Sequence, residues 1–331
     1  MINLFEFAKK ELSQDAFLLW ILSNANNRNQ NKEEKAAHDA AVDLISFLTG
    51  KRDFTIEKVT LDPQWNHIDI VAEVMLINGS VFNIFIEDKT TSKEHSNQLA
   101  EYNSDIDSSK KYAAAENYKL FYKTDLIDPE ERQRVMNAGW TIIELKAIAG
   151  FWAKYLDSDN LVISMYAHRV MDIYDALQTS SLPSKIDDRE IEMLTWKGFF
   201  INRIMPVIAP DCTAYVVKTS YKYEALIIKP KSVDKNTNCP YLEIRDRDCA
   251  GGKFKALLLT YGMAESKQRC KEFEPILKAN AGIPGTLFKK GKDNCRKQVL
   301  TMNPVKVKNA DDFEKQMKNA LDTYLKIMNM I

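Results

Sequence analysis

The sequence predicts an α/β fold in two parts, a mixed central sheet flanked by helices followed by a C-terminal α+β module. Three observations predict it. The spacing of apolar residues changes from helical to alternating just after Gly50. Asn78-Gly79 stands between two alternating runs, a strong local signal for a hairpin. The net charge is zero, with 46 Lys+Arg against 46 Asp+Glu, yet it divides unevenly: residues 181–331 carry 27 basic and 18 acidic residues, and residues 1–180 carry 19 and 28. The predicted boundary therefore falls at 180, before the turn-like Ser181-Leu182-Pro183-Ser184.

Each element has its own signal. Ser13 suits the N-cap of a helix over 15–22, apolar nearly all round and so buried. The Asn-rich stretch 24–31 reads as an exposed loop. A second helix over 32–48 has Ala37, Ala41, Leu44 and Leu48 as its apolar stripe, with Gly50 past its end. Residues 54–61, 67–77 and 81–87 read as three strands. A helix over 93–106 follows, with Leu99, Tyr102 and Ile106 on one side, then short strands at 118–122 and 140–145, then helices over 146–177. Beyond the boundary come a helix over 188–204 and strands at 214–217, 223–228, 241–244 and 254–260, which suit an antiparallel sheet. Helices over 265–280 and 310–328 flank a basic loop at 288–297.

Composition narrows the function classes. The chain is 45% hydrophobic and 28% charged over 331 residues, which is enough for a core and excludes whole-chain disorder or collagen-like repetition. The longest apolar run, 16–22, is far short of the roughly 18 residues of a membrane span. No secretory leader is expected from the first residues. Five cysteines (Cys212, Cys239, Cys249, Cys270, Cys295) form no C-x-x-C pair, so neither a disulfide framework nor a thiolate zinc site is expected. A cytoplasmic location follows. The basic second part suits a polyanion-binding module beside an acidic, metal-binding first part; drift in local composition explains the asymmetry equally well.

The chemistry concentrates between His67 and Tyr102. Alternation sets Asp69 on the opposite face from Ile68 and Ile70. Eighteen residues later an apolar strand ends in Glu87-Asp88-Lys89. Glu87 and Lys89 are two apart and project to one side, and the hairpin can bring Asp69 beside them. Two carboxylates are the oxygen ligands a hard cation such as Mg²⁺ takes, leaving positions for water and phosphate oxygens. Such a cation offsets charge developing on phosphorus, and a neighbouring Lys89 can orient water. No Ser/His/Asp or Cys/His arrangement points to acyl transfer.

Asp69 followed by Glu87-Asp88-Lys89 resembles the D…(D/E)-x-K signature of the PD-(D/E)XK nucleases. The resemblance implies a restriction-endonuclease-like αβββαβ core over about residues 1–150, with Asp69 and Glu87 as metal ligands and Lys89 as the water-activating lysine. It also implies that Glu11, near the first helix, completes the shell of a Mg²⁺ or Mn²⁺ ion. Gln98 and Tyr102 match the Q-x-x-x-Y of the following helix, where Gln98 steadies the site or touches the scissile backbone. One departure is plain: His67-Ile68, not a proline, precedes Asp69. The implied function is metal-dependent hydrolysis of DNA, with RNA as another possible substrate, in restriction, repair or phage defence. A homodimer is implied by analogy with double-strand cleavage.

Plainer readings stand beside these. Glu87 and Lys89 can be a solvated ion pair worth about 0–1 kcal/mol. Glu11 can be a helix-start acid favoured by the macrodipole, and Gln98 an exposed helix residue. His67 shares the facing of Asp69, but a structural hydrogen bond suits it better. Glu73 sits toward the far end of its strand, and His38, His95 and His168 lack ligand spacing. In the second part, Tyr215, Lys218, Tyr221, Lys222, Tyr223, Lys229 and Lys231 interleave aromatic and basic residues. Lys289, Lys290, Lys292, Arg296 and Lys297 form the denser loop, the better candidate for contact with a nucleic-acid backbone. The rival function is a non-catalytic nucleic-acid- or protein-binding module on a degenerate nuclease fold.

Overall fold

The computed structural model describes residues 11–26, 31–92, 97–210, 212–219, 223–231, 241–260, 288–289, 297–302 and 304–328, without the side chains of 11–12, 259–260, 288–289 and 297–302. The chain divides into two compact units, Met1–Tyr174 and Asp175–Ile331.

In the first unit, α1 (Glu11–Ser23) and α2 (Lys32–Thr49) precede the sheet. Ser13 lies inside α1 and does not cap it, because Glu11 and Leu12 before it already have helical backbone. Asn31 caps α2 by accepting from the Glu34 N–H at 2.9 Å, and Gly50 ends it at φ +70°. The strands β1 (Ile56–Trp65), β2 (Ile68–Leu76), β3 (Val81–Lys89), β4 (Glu116–Lys123) and β5 (Thr141–Glu144) form a five-stranded sheet in sequence order. The pairs β1–β2 and β2–β3 are antiparallel, and β3–β4 and β4–β5 are parallel. The crossovers are made by α3 (Gln98–Ser108) and α4 (Pro129–Asn137). The unit ends with α5 (Leu145–Trp152) and α6 (Leu161–Gln178), whose last residues belong to the second unit.

Two differences from the sequence reading have clear causes. β1 runs on past Leu61 through Pro63, which an edge strand tolerates because a missing N–H costs no ladder bond on its outer side. Residues 66–67 then make a two-residue turn, with Asn66 at φ +47° and His67 at φ +70°. His67 is thus an exposed turn residue, and the strand begins at Ile68. Helix α4 was not anticipated, although Asp128-Pro129 announces it: the Asp128 side chain accepts from the Glu131 N–H at 2.8 Å.

The central strand β3 is buried from Phe82 to Lys89. One face of the sheet packs Val71, Phe85 and Phe121 against Leu99, Tyr102 and Ile106 of α3 and Val135 of α4. The opposite parity of β3, with buried Ile84 and Ile86, faces the side on which α1 packs. On α1, Phe17 stacks on Tyr166 of α6 at 3.7 Å between ring centroids.

In the second unit, α7 (Arg189–Phe199) is capped by Asp188 and continues through a π-helical turn, Phe200–Ile204. The strands β6 (Cys212–Lys218), β7 (Glu224–Pro230) and β8 (Tyr241–Arg245) follow, then a short α8 (Asp246–Cys249) and β9 (Lys253–Phe254). β10 (Ala256–Thr260), β11 (Phe288–Lys289), β12 (Lys297–Met302), β13 (Val305–Lys306) and α9 (Ala310–Met328) complete it. Six strands form an antiparallel sheet in the order β11-β12-β10-β8-β7-β6, and β9 pairs with β13 in a separate ribbon. The expected strand at 254–260 is therefore two strands in two sheets. Trp196, Phe199, Phe254 and Phe313 are packed in one core with Leu226, Ile244 and Leu258. The helix expected at 265–280 lies outside the described residues. None of the described helices is long and apolar enough to cross a membrane.

Candidate active site

The site grows from the alternation of β3. Phe85 packs under α3, so Glu87 and Lys89, at the same parity, face that helix too, while Asp88 faces the other way. The β2–β3 ladder pairs Ile70 with Ile86, and the next step of that register brings Asp69 opposite Glu87. Asp69 is fixed there by the Asp88 backbone N–H, which donates to its Oδ2 at 2.9 Å. Gln64 Nε2 donates to its other oxygen at 3.2 Å.

Glu87 is fully buried. Its Oε1 pairs with the Lys89 ammonium and accepts from Gln98 Nε2 at 2.9 Å. Gln98 Nε2 also lies 2.6 Å from the Tyr102 hydroxyl, which donates to the His67 carbonyl at 2.7 Å. The i, i+4 spacing of Gln98 and Tyr102 on α3 makes this chain possible. Burial, with Glu87 nearby, pushes the Tyr102 hydroxyl above its usual range, so it stays a proton donor.

Electrostatically the site is short of positive charge. Burial first, and the neighbouring Asp69 second, push the Glu87 carboxyl up to about 8, with Lys89 only partly opposing them. Glu87 Oε2 and Gln98 Oε1 are buried with no hydrogen-bond partner among the described residues. A divalent cation between Asp69 and Glu87 would supply both the missing charge and a partner for Oε2. Among the described residues no group of three or more His, Cys, Asp or Glu side chains is placed to hold a metal ion. Two carboxylates nonetheless fit Mg²⁺, which commonly keeps several waters and takes only one or two protein carboxylates.

The structure thus brings together Asp69, Glu87, Lys89 and Gln98. Glu11 has its backbone in α1, but its side chain lies outside the described residues, as do Lys290, Lys292 and Arg296. Lys289 and Lys297, expected in a loop, lie on the paired strands β11 and β12, with side chains outside the description. Glu73 is turned to Lys111 at 3.3 Å, away from the site. Tyr223 is not free to stack on a base: it is buried, with the Arg247 guanidinium 4.1 Å above its ring.

Several buried polar residues around the site had no assignment from sequence. Asp88 is fully buried, and Gln14 Nε2 donates to its Oδ1 at 2.5 Å. Lys123, beside Lys89 in the parallel register, is buried, donates to the Ser92 carbonyl and lies 3.5 Å from the buried Glu131. Their one signal was the charged pair Lys123 and Asp125 flanking Thr124 at the end of an apolar strand.

Comparison by family agrees with the mixed α/β fold of this part of the chain. The chain belongs to the PD-(D/E)XK nuclease superfamily, whose family model matches residues 2–174. Members of that superfamily typically use a divalent metal. No curated protein and no solved structure matches the chain.

Proposed function

We propose that the protein is a metal-dependent nuclease that hydrolyses phosphodiester bonds of DNA. The observation that carries this reading is the meeting of Asp69, Glu87, Lys89 and Gln98 at one strand end, with a buried carboxylate oxygen of Glu87 left open. Asp69 and Glu87 would hold Mg²⁺ or Mn²⁺, with Glu11 as a further ligand. When bound, the cation supplies Lewis-acid polarisation of the phosphate and acidifies a water molecule.

The chain's own residues do the rest. The Asp88 N–H holds Asp69 Oδ2, and Gln98 holds Glu87 Oε1, so both carboxylates keep their orientation. Lys89 Nζ orients the attacking water and offsets charge growing on the phosphate oxygens. Gln98 Oε1, a second open acceptor, accepts a hydrogen bond from that water. The second unit, where the basic excess lies, is assigned to the nucleic-acid backbone through Lys289, Lys290, Lys292, Arg296 and Lys297.

The test is cleavage of plasmid, single-stranded DNA and RNA, side by side, with Mg²⁺ or Mn²⁺ and with chelator. Wild type cleaves DNA only with the metal, and Lys89→Ala abolishes it. Salt-sensitive DNA binding without cleavage under either cation replaces this reading with that of a non-catalytic binding module.

A further inference from the structure

Behind the carboxylate pair, on the other face of β3, buried side chains tie three further points together. Gln14 of α1 donates through Nε2 to Asp88 Oδ1 at 2.5 Å. Its Oε1 accepts from Thr124 Oγ1 at 3.1 Å. The Thr124 N–H donates to the Lys89 carbonyl at 3.0 Å, and the Asp88 N–H donates to Asp69 Oδ2 at 2.9 Å. A continuous path therefore runs from Asp69 through Asp88, Gln14 and Thr124 to Lys89. Gln14, Asp88 and Thr124 are all buried.

We propose that Gln14, Asp88 and Thr124 are positioning residues that hold the end of β3 against α1 and β4, and so set how Asp69, Glu87 and Lys89 face a divalent cation. Three physical points support this. The β2–β3 ladder ends at Ile70–Ile86 while the β3–β4 ladder runs on to Lys89–Lys123, so the reactive end of β3 is laddered on one side only and its placement depends on further ties. A glutamine carries a donor group and an acceptor on one rigid amide, so this single side chain satisfies both Asp88 and Thr124. Gln14 also lies one helical turn after Glu11, so the same tie fixes the helix that carries that acid.

The proposal rests on the nuclease reading only for the cation, and its test separates the two. Thr124→Val keeps the shape and removes the donor, Gln14→Leu removes both amide bonds, and Thr124→Ser keeps the hydroxyl. In the full-length chain, Mn²⁺ affinity is measured by calorimetry, backbone hydrogen exchange at Asp88 and Phe85, and kcat and KM on plasmid. In Thr124→Val and Gln14→Leu we expect Mn²⁺ affinity to fall about tenfold or more. Exchange at Asp88 quickens about tenfold while Phe85 in mid-strand stays protected, and kcat falls with KM unchanged. Thr124→Ser restores all three. Wild-type Mn²⁺ affinity and Asp88 protection in both disrupted variants overturn the proposal. A wild type that binds Mn²⁺ without cleaving removes the nuclease reading, while loss of Mn²⁺ affinity in the variants still upholds the positioning role.

Discussion

Gln98 donates to Glu87 across 2.9 Å, from the first residue of α3 to the end of the strand before it. That bond joins the helix to the buried carboxylate and leaves Glu87 Oε2 as the open oxygen. Gln98→Leu should therefore leave the fold intact and lower the rate of cleavage by about 10- to 100-fold, as loss of an outer partner of a metal ligand does. Steady-state kinetics beside a thermal melt checks this. Tyr102→Phe acts one bond further away and should cost less in rate, with about 0.5–1.5 kcal/mol of stability for the lost hydroxyl.

The raised Glu87 carboxyl makes a prediction with a definite sign. Its folded value of about 8 lies above its ordinary 4.5, so the folded state holds this proton more tightly than the unfolded one. Its contribution to stability is complete below about 4.5 and is lost as pH rises through about 8. Without metal, wild type should lose stability over that window relative to Glu87→Gln. A divalent cation competes with the same proton, so its affinity should rise about tenfold per pH unit until about pH 8 and then level. Melts and Mn²⁺ titrations across the window read both effects.

Lys123 and Glu131 form an ion pair at 3.5 Å in which each side chain is almost wholly buried. Taking one member out of a buried ion pair costs far more than losing an exposed one, so Lys123→Met or Glu131→Leu alone should each destabilise by about 3–5 kcal/mol. The double variant should be much closer to wild type. Chemical denaturation of the four proteins gives the coupling directly.

Gly198 in α7 is required for close packing within the second unit. A Cβ there would lie 2.8 Å from the Leu177 carbonyl oxygen and closer still to that of Ala176. Gly198→Ala should destabilise by about 1–3 kcal/mol through overpacking, with the backbone as the unyielding partner. A fall in the melting temperature measures it.

These elements also show what a single sequence can convey. Asp69, Glu87 and Lys89 were legible because strand parity and the Asn78-Gly79 hairpin are local signals that together place distant residues at one strand end. Gln98 was legible through its spacing to Tyr102. The Gln14–Asp88 bond was not, because it joins residues 74 apart on a face where nothing periodic distinguishes a buried polar pair. Lys123 drew no assignment, because its buried partner Glu131 lies on α4 and no local pattern announces the pairing. His67 was misplaced because a tight turn at Asn66-His67 breaks the parity that the run of residues suggested. Helix α4 is hard to read despite Asp128-Pro129, since its mostly polar sequence shows little apolar stripe.

The central claim is that Asp69 and Glu87 together hold a divalent cation. Calorimetric titration of Mn²⁺ into wild type, Asp69→Asn and Glu87→Gln tests it most directly. Saturable binding in wild type that disappears in each variant is the predicted result. Undiminished affinity in Glu87→Gln would contradict it.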